Sequence, residues 1–327
     1  MEQGQAVPQP ADAKATAGSL EQVLQHMAGH LVDADAQLKG MRSLQMFLDF
    51  GPKQQLLICR AKGGEAIIAA MKAHNSDAEL QAHAALTLSS LAQACPETQS
   101  ALLDAGAVEA TVAAMRNYED VEELQASCAV ALATLSQDCL EAVQRVCLRG
   151  GAKAVVAMLC RPLTPDTEGV AWERACECLA VLVSQGKGAM ALPWEEVAVA
   201  VVGVMLLMPA AAAVQVAGCW ALEEFAKQGA AAGASAVCEA GGHSAIVAAM
   251  RRKGASAAVL NAGCRALTAL ALAADAAGGR PLQSECLDVG AAEAVVLALR
   301  AAAARAAKAP KAAASGLRLS CAALEAL

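Results

Sequence analysis

The chain has 327 residues but only three Trp, one Tyr and three Phe; aromatics make up 2% of a sequence that is 57% hydrophobic. Packing therefore falls to Ala, Val and Leu, and Ala-rich helices lose little conformational freedom and let backbones approach closely. No alternating strand pattern is present. Nor is there a phosphate-cradling loop, a nucleophile elbow or a cluster of metal ligands. His26 and His30 lie four apart on one helix face, but no third ligand of matching spacing accompanies them. The acidic pairs Glu122-Glu123, Glu195-Glu196 and Glu223-Glu224 sit on helices or helix starts, where acids complement the dipole or face water. These absences argue against an enzyme and predict no cofactor, metal or small-molecule ligand. A net charge of −7 argues against general nucleic-acid binding.

Residues 1–19 carry no apolar periodicity, no Arg and no hydrophobic region of a secretory leader, and read as a flexible tail. The most apolar span, Val197 to Val214, is broken by Pro209 and preceded by Glu195 and Glu196. It is expected to be the core of a repeat rather than a membrane helix.

What the chain does have is a period. Val23-Leu24-Gln25-His26-Met27 returns as Ile67–Met71, Thr111–Met115, Val155–Leu159, Val201–Met205, Ile246–Met250 and Val295–Leu299, at steps of 44, 44, 44, 46, 45 and 49 residues. A second series runs Leu44, Leu88, Leu132, Leu179, Leu222, Leu267 and Leu324. Each anchor is followed three residues later by Phe47, Leu91, Leu135, Leu182, Phe225, Leu270 or Leu327, and preceded at four by Gly, Ala, Cys or Ser. That spacing is one stripe of a tightly packed helix. The two anchors stand 17 residues apart in repeats one, two, three, five and six, 20 in repeat four and 25 in repeat seven. A fixed period in the forties without strands means a stacked helical solenoid, whose product is a long surface for binding. The repeats are assigned to 20–53, 54–97, 98–140, 141–187, 188–230, 231–277 and 278–327.

Thirteen cysteines are absorbed by the same register. Cys176, Cys219, Cys264 and Cys321 share one third-helix position. Cys59, Cys147 and Cys238 share another, and Cys95 and Cys139 are 44 apart. Cysteine here acts as a small buried hydrophobe, which predicts reduced thiols and a reducing compartment. The cytoplasm is expected, with a cilium or the nucleus as alternatives.

Each repeat reads as a short helix, a Gly-containing joint (Gly63-Gly64, Gly106, Gly150-Gly151, Gly241-Gly242, Gly290), a second helix and a longer third helix. This short–long–long pattern resembles the armadillo repeat, with its Gly pair, apolar second helix and Ala-Leu-x-Asn-Leu third helix. It is nearest to arrays of algal or protist type that carry Ala-Ala-Met-Arg, as at Ala113–Arg116 and Ala248–Arg251. The resemblance implies an all-α, right-handed superhelix of about seven repeats, with third helices lining a concave groove that holds a partner peptide or helix. The family's Asn ladder is missing: its positions read Met46, Ser90, Thr134, Val181, Glu224, Ala269 and Ala326. Trp220 before Glu224 is the one match to the Trp of importin alpha, so a nuclear-import adaptor is not expected, although that pair suits a Lys or Arg.

The groove so defined runs through Lys39, Arg42, Met46, His83, Leu86, Ser90, Ser127, Val130, Thr134, Arg174, Glu177, Val181, Trp220, Glu224 and Arg265. Two insertions break the period: Arg161–Gly169, a polar loop, and Arg300–Gly316, whose Arg300, Arg305, Lys308 and Lys311 form a candidate basic contact. Leu327 falls within an apolar helix, which predicts a longer chain or an end that docks onto another subunit. The expected function is a protein-binding scaffold or adaptor. The alternative is a structural subunit of an axonemal, ribosomal or organellar assembly, docking through its ends and convex face.

Overall fold

The computed structural model describes residues 17–93, 96–162, 169–186, 194–275, 282–306 and 310–327. The tail up to residue 16, Cys95, residues 163–168 of the first insertion, Pro193 and Lys308 lie outside the described residues, as does the side chain of Lys311. Every regular element among the described residues is a helix. The chain divides into two compact units, Met1–Ala154 and Val155–Leu327.

The first unit holds α1 (Ala17–Gly29), α2 (Ala34–Leu48), α3 (Pro52–Arg60), α4 (Gly63–Ala73), α5 (Ala78–Ala92), α6 (Pro96–Ala105), α7 (Ala107–Asn117), α8 (Glu122–Ser136) and α9 (Leu140–Leu148). Third helices α2, α5 and α8 pack side by side as one layer, and second helices α1, α4 and α7 as another. The anchors explain why. Met27, Met71, Met115, Leu44, Leu88 and Leu132 are all buried, and full burial of such a side chain contributes about 1.5–3 kcal/mol.

A polar latch fixes the stagger between these layers. Gln37, Gln81 and Gln125 are buried and 44 residues apart. Each donates through Nε2 to two carbonyls ending the preceding second helix: Met27 and His30, Met71 and His74, Met115 and Tyr118, at 2.6–3.0 Å. Helix C-termini leave carbonyls without intrahelical partners, and these glutamines satisfy them inside the protein. His74 and Tyr118 end their helices and also reach back to the previous repeat, at Leu31 O (2.7 Å) and Asn75 O (2.9 Å). Asp33 and Asp77 cap α2 and α5 by accepting from Ala36 N and Leu80 N.

The joints follow the expected logic with one displacement. Gly106 turns through φ +92°, in the left-handed region open to glycine. In the preceding repeat that conformation falls on Lys62, φ +65°, while Gly63 begins α4. A Cβ on Gly63 would meet Ile58 Cγ2 and lie 2.9 Å from its carbonyl oxygen. The glycine is therefore spent on close approach, and a lysine takes the strained turn.

α10 (Gly151–Leu159) runs across the division between the units. The second unit holds α11 (Val170–Gly186), α12 (Trp194–Leu207), α13 (Ala212–Gln228), α14 (Ala230–Glu239), α15 (Gly242–Arg251), α16 (Ala257–Asp275), α17 (Leu282–Asp288), α18 (Ala291–Ala306) and α19 (Pro310–Ala326). Here α11, α13, α16 and α19 form the third-helix layer, and α12, α15 and α18 the second-helix layer. Leu179, Leu222 and Leu267 are fully buried, whereas Leu324 and Leu327 are only half-buried. Gln215 repeats the latch on Met205 O and Met208 O. The equivalent positions in the other repeats hold Trp172, Leu260 and Leu317. Trp172 is buried and its Nε1 has no hydrogen-bond partner among the described residues. The residues of the second insertion lengthen α18 and lead into α19 rather than forming one long loop.

Candidate functional site

Third-helix surfaces are where the sequence places binding residues. In the first unit Arg42 is exposed on α2 and reaches Glu79 of α5, Nη2 to Oε1, at 3.2 Å. His83, one turn on from Glu79, lies 4.0 Å from the same carboxylate. The two predicted groove residues thus converge on an acid the sequence reading did not single out. Leu86 is 38% and Met46 41% exposed. Val130 is half-buried; Ser90 and Thr134 donate to Leu86 O and Val130 O of their own helices. Thr134 Oγ1 also meets Ser89 Oγ of α5 at 3.0 Å, and Gln45 donates to Thr87 Oγ1 at 3.2 Å. These contacts tie neighbouring third helices together. Ser127, expected on the groove, is buried and donates to Glu123 O.

In the second unit the charges do most of the arranging. Arg174 donates to Glu177 at 2.7 Å, one turn along α11. That hydrogen bond holds the guanidinium pKa above its ordinary value. Val181 is buried, because α13 packs along α11. Trp220 is half-buried and Glu224 is buried, only 9% exposed as a residue. Glu224 does not stand open to a partner's cation: Lys227 donates to its Oε1 at 3.1 Å and to Glu223 Oε1 at 2.5 Å. The carboxylate of the pair that suited a basic ligand is taken by the chain's own lysine. Burial pulls the Lys227 ammonium down, but the hydrogen bonds to Glu223 and Glu224 outweigh it and its pKa is raised. Arg265 Nε lies 3.0 Å from Glu223 Oε2 as an ion pair. The contact is off the hydrogen-bonding direction, since Oε2 accepts no hydrogen bond among the described residues.

Beside this cluster, between α13, α16 and α19, the surface sinks into an open depression of about 400 Å³. Its lining combines Glu223 and Lys227 of α13 and Arg265 of α16 with the aliphatic Leu272, two turns on from Arg265, and Leu319 and Ala322 of α19. Neither Glu223 nor Lys227 was legible as a site residue. The register would have offered them: both lie within one turn of Glu224 on a helix already assigned to the groove.

The remaining expectations divide. Trp194, which follows Pro193 in a region of the sequence where a degenerate first helix of repeat five is expected, begins α12 instead, and its ring meets Phe225 edge-on at 6.0 Å. α12 buries most of its valines as expected, yet leaves Val199, Leu206 and Leu207 about 60% exposed. Among the described residues no helix is long and apolar enough to cross a membrane, and no three His, Cys, Asp or Glu stand together as metal ligands. Cys176, Cys219 and Cys264 are fully buried at their shared position, while Cys321 at the fourth is exposed, because no further third helix covers it among the described residues. Burial pushes the thiols of Cys128, Cys176 and Cys219 up to about 12, the opposite of what a reactive cysteine needs. Arg300 is exposed and Arg305 half-buried at the end of α18.

No family model matches the sequence and no curated protein sequence matches it. Solved structures do. Two crystal structures of engineered proteins superpose with TM-scores of 0.65 and 0.64 at 23% and 20% identity, covering 78% and 77% of this chain and 97% and 98% of theirs. A structure from the cadherin and beta-catenin interaction, which a conserved phosphorylation switch controls, superposes at 0.66 and 18% identity. It covers 93% of this chain and 56% of that one. These matches fit an armadillo-like helical solenoid. At such identities the likeness is of fold alone.

Proposed function

We propose that this chain is a non-catalytic protein-interaction scaffold, a right-handed superhelix of seven armadillo-type repeats that binds a peptide or helix on its third-helix surfaces. The observation carrying this is the contrast within those helices. Leu88, Leu132, Leu222 and Leu267 are fully buried, while Leu86 and Leu272 on the same elements stand 38% and 57% exposed beside charged residues. An apolar residue ringed by polar ones on a regular scaffold suits a partner's amphipathic segment. The solved structures support the scaffold reading by fold, one of them coming from a protein–protein interaction. The buried thiols fit a reducing compartment such as the cytoplasm.

A second reading, a structural subunit docking by its outer face, draws on Val199, Leu206 and Leu207 of α12. Photo-crosslinking amino acids at Leu86, Leu272 and Leu206 in the native source separate the two. Partner adducts from Leu86 or Leu272 are expected. Adducts from Leu206 alone would replace the first reading with the second.

A further inference from the structure

We propose that the depression between α13, α16 and α19 receives a peptide segment in which an aliphatic side chain and a carboxylate lie close together in sequence. This rests on the reading of the third helices as a peptide-binding surface, and it names the chemistry of the partner.

The argument starts from how four charges are layered. The Glu223 and Glu224 side chains are 7% and 11% exposed, whereas those of Lys227 and Arg265 are 46% and 44% exposed. Acids lie beneath, bases on top. The cluster is neutral as a whole, but its outer surface is cationic. The buried carboxylates are committed: Lys227 takes one oxygen from each, and Arg265 Nε faces the second oxygen of Glu223. The donors are not used up. An arginine carries five N–H groups in a planar fork, and among the described residues no acceptor holds Nη1 or Nη2 of Arg265. Lys227 directs two of its three N–H groups to Glu223 and Glu224.

A further part of the lining is aliphatic. Leu272 is 57% exposed, and Leu319 and Ala322 of α19 belong to the same part. The volume of about 400 Å³ lies within the range of pre-formed ligand sites. Arg318 and Glu325, exposed on α19 at either side of Ala322 in sequence, oppose each other in charge and leave the sign of the depression to Lys227 and Arg265.

Three kinds of segment can be compared on these terms. A basic segment meets two cations first and finds the carboxylates below already engaged. A purely apolar one covers Arg265 and leaves its Nη donors without water or partner, which is unfavourable for each group so buried. A segment with Asp or Glu near Leu, Ile or Val covers the aliphatic lining and gives the guanidinium a planar, two-oxygen acceptor. The geometry favours the third.

The test uses a random library of short peptides displayed on phage and selected against the full chain. The strongest binders are then measured by fluorescence anisotropy on wild type, Arg265→Gln, Arg265→Lys and Leu272→Ser. Selected peptides are expected to carry an aliphatic residue within about four positions of Asp or Glu, the reach of one helical turn. Affinity should fall about tenfold in Arg265→Gln and in Leu272→Ser, a loss the size of one charge-assisted hydrogen bond, and recover only in part in Arg265→Lys, which restores the charge but not the planar fork. Leu272 is exposed, so its substitution reads binding without unfolding the chain; thermal melts of each variant confirm this. Selection of basic or uncharged peptides, or binding indifferent to Arg265→Gln, overturns the assignment while sparing the peptide-binding reading. Failure of any peptide to bind overturns both.

Discussion

In residues 17–154 the same buried place in three successive repeats is held by Gln37, Gln81 and Gln125. In residues 155–327 the corresponding places hold Trp172, Gln215, Leu260 and Leu317. The first unit keeps a step of 44 and an anchor spacing of 17 throughout; the second contains the spacings of 20 and 25. The two irregular repeats are those with Trp172 and Leu317. A glutamine that must reach two named carbonyls ten and seven residues earlier tolerates no insertion between helix end and donor. An apolar residue imposes no such reach. Repeat six keeps 17 with Leu260, so the latch is sufficient for regularity and not required for it. The third-helix layers differ in the same sense. The first is laced by Gln45–Thr87 and Ser89–Thr134, the second filled by Cys176, Cys219 and Cys264 and crossed by an ion network.

The comparison can be broken most severely at the anchors. Leu132→Ala in the first unit is expected to cost about 2–5 kcal/mol, transfer and cavity together, as measured by chemical denaturation. A loss within error there would mean that the register is misplaced. Next comes the latch: Gln125→Ala strands the Met115 and Tyr118 carbonyls and should cost about 1–3 kcal/mol. Gln215→Ala in the second unit should cost as much if the bond itself matters. A loss confined to the first unit would assign the effect to its neighbours instead.

The buried thiols sharpen the contrast through pH. Their folded pKa, about 12, stands above that of an unfolded cysteine. The native state therefore holds protons that the unfolded state releases, and stability falls as pH rises. The loss begins near the ordinary thiol pKa of about 8.5 and continues towards 12. Two of the three groups, Cys176 and Cys219, lie in the second unit, so that unit should show the steeper decline when local opening is followed by hydrogen exchange. Thiol alkylation of the native chain should reach Cys160 and Cys321, which are exposed, well before Cys128, Cys176 and Cys219.

The smallest effect tests the joints. Lys62→Gly removes a left-handed conformation from a residue with a Cβ, and a gain of about 1 kcal/mol is expected in denaturation midpoint. No gain would place the turn's stability in Gly63 and its contact with Ile58.

Much of the fold was legible because a repeat states the same physical requirement many times. The anchor leucines recur at places that must be buried: those of the first six repeats are buried, and Leu324 of the seventh is half-buried. The latch was not read from the sequence: Leu80-Gln81-Ala82 and Leu124-Gln125-Ala126 repeat 44 residues apart, but a polar residue inside an apolar stripe shows its role only beside the carbonyls it meets. The binding surface was half legible. Arg42, His83, Leu86, Arg174, Glu177 and Arg265 are accessible on third helices, whereas Ser127, Val181 and Glu224 are not. Period alone ranks positions by helix face; burial depends on the size of what packs against them.

The sequence alone determined an all-helical chain, its register and its apolar stripes, because periodicity follows from the geometry of a single helix. The tertiary structure alone decided that Lys227 closes over Glu223 and Glu224, that Arg265 faces outward above them, and that Leu272 and Leu319 share a depression. Those juxtapositions join residues from three separate helices, and charge and burial act through space rather than along the chain.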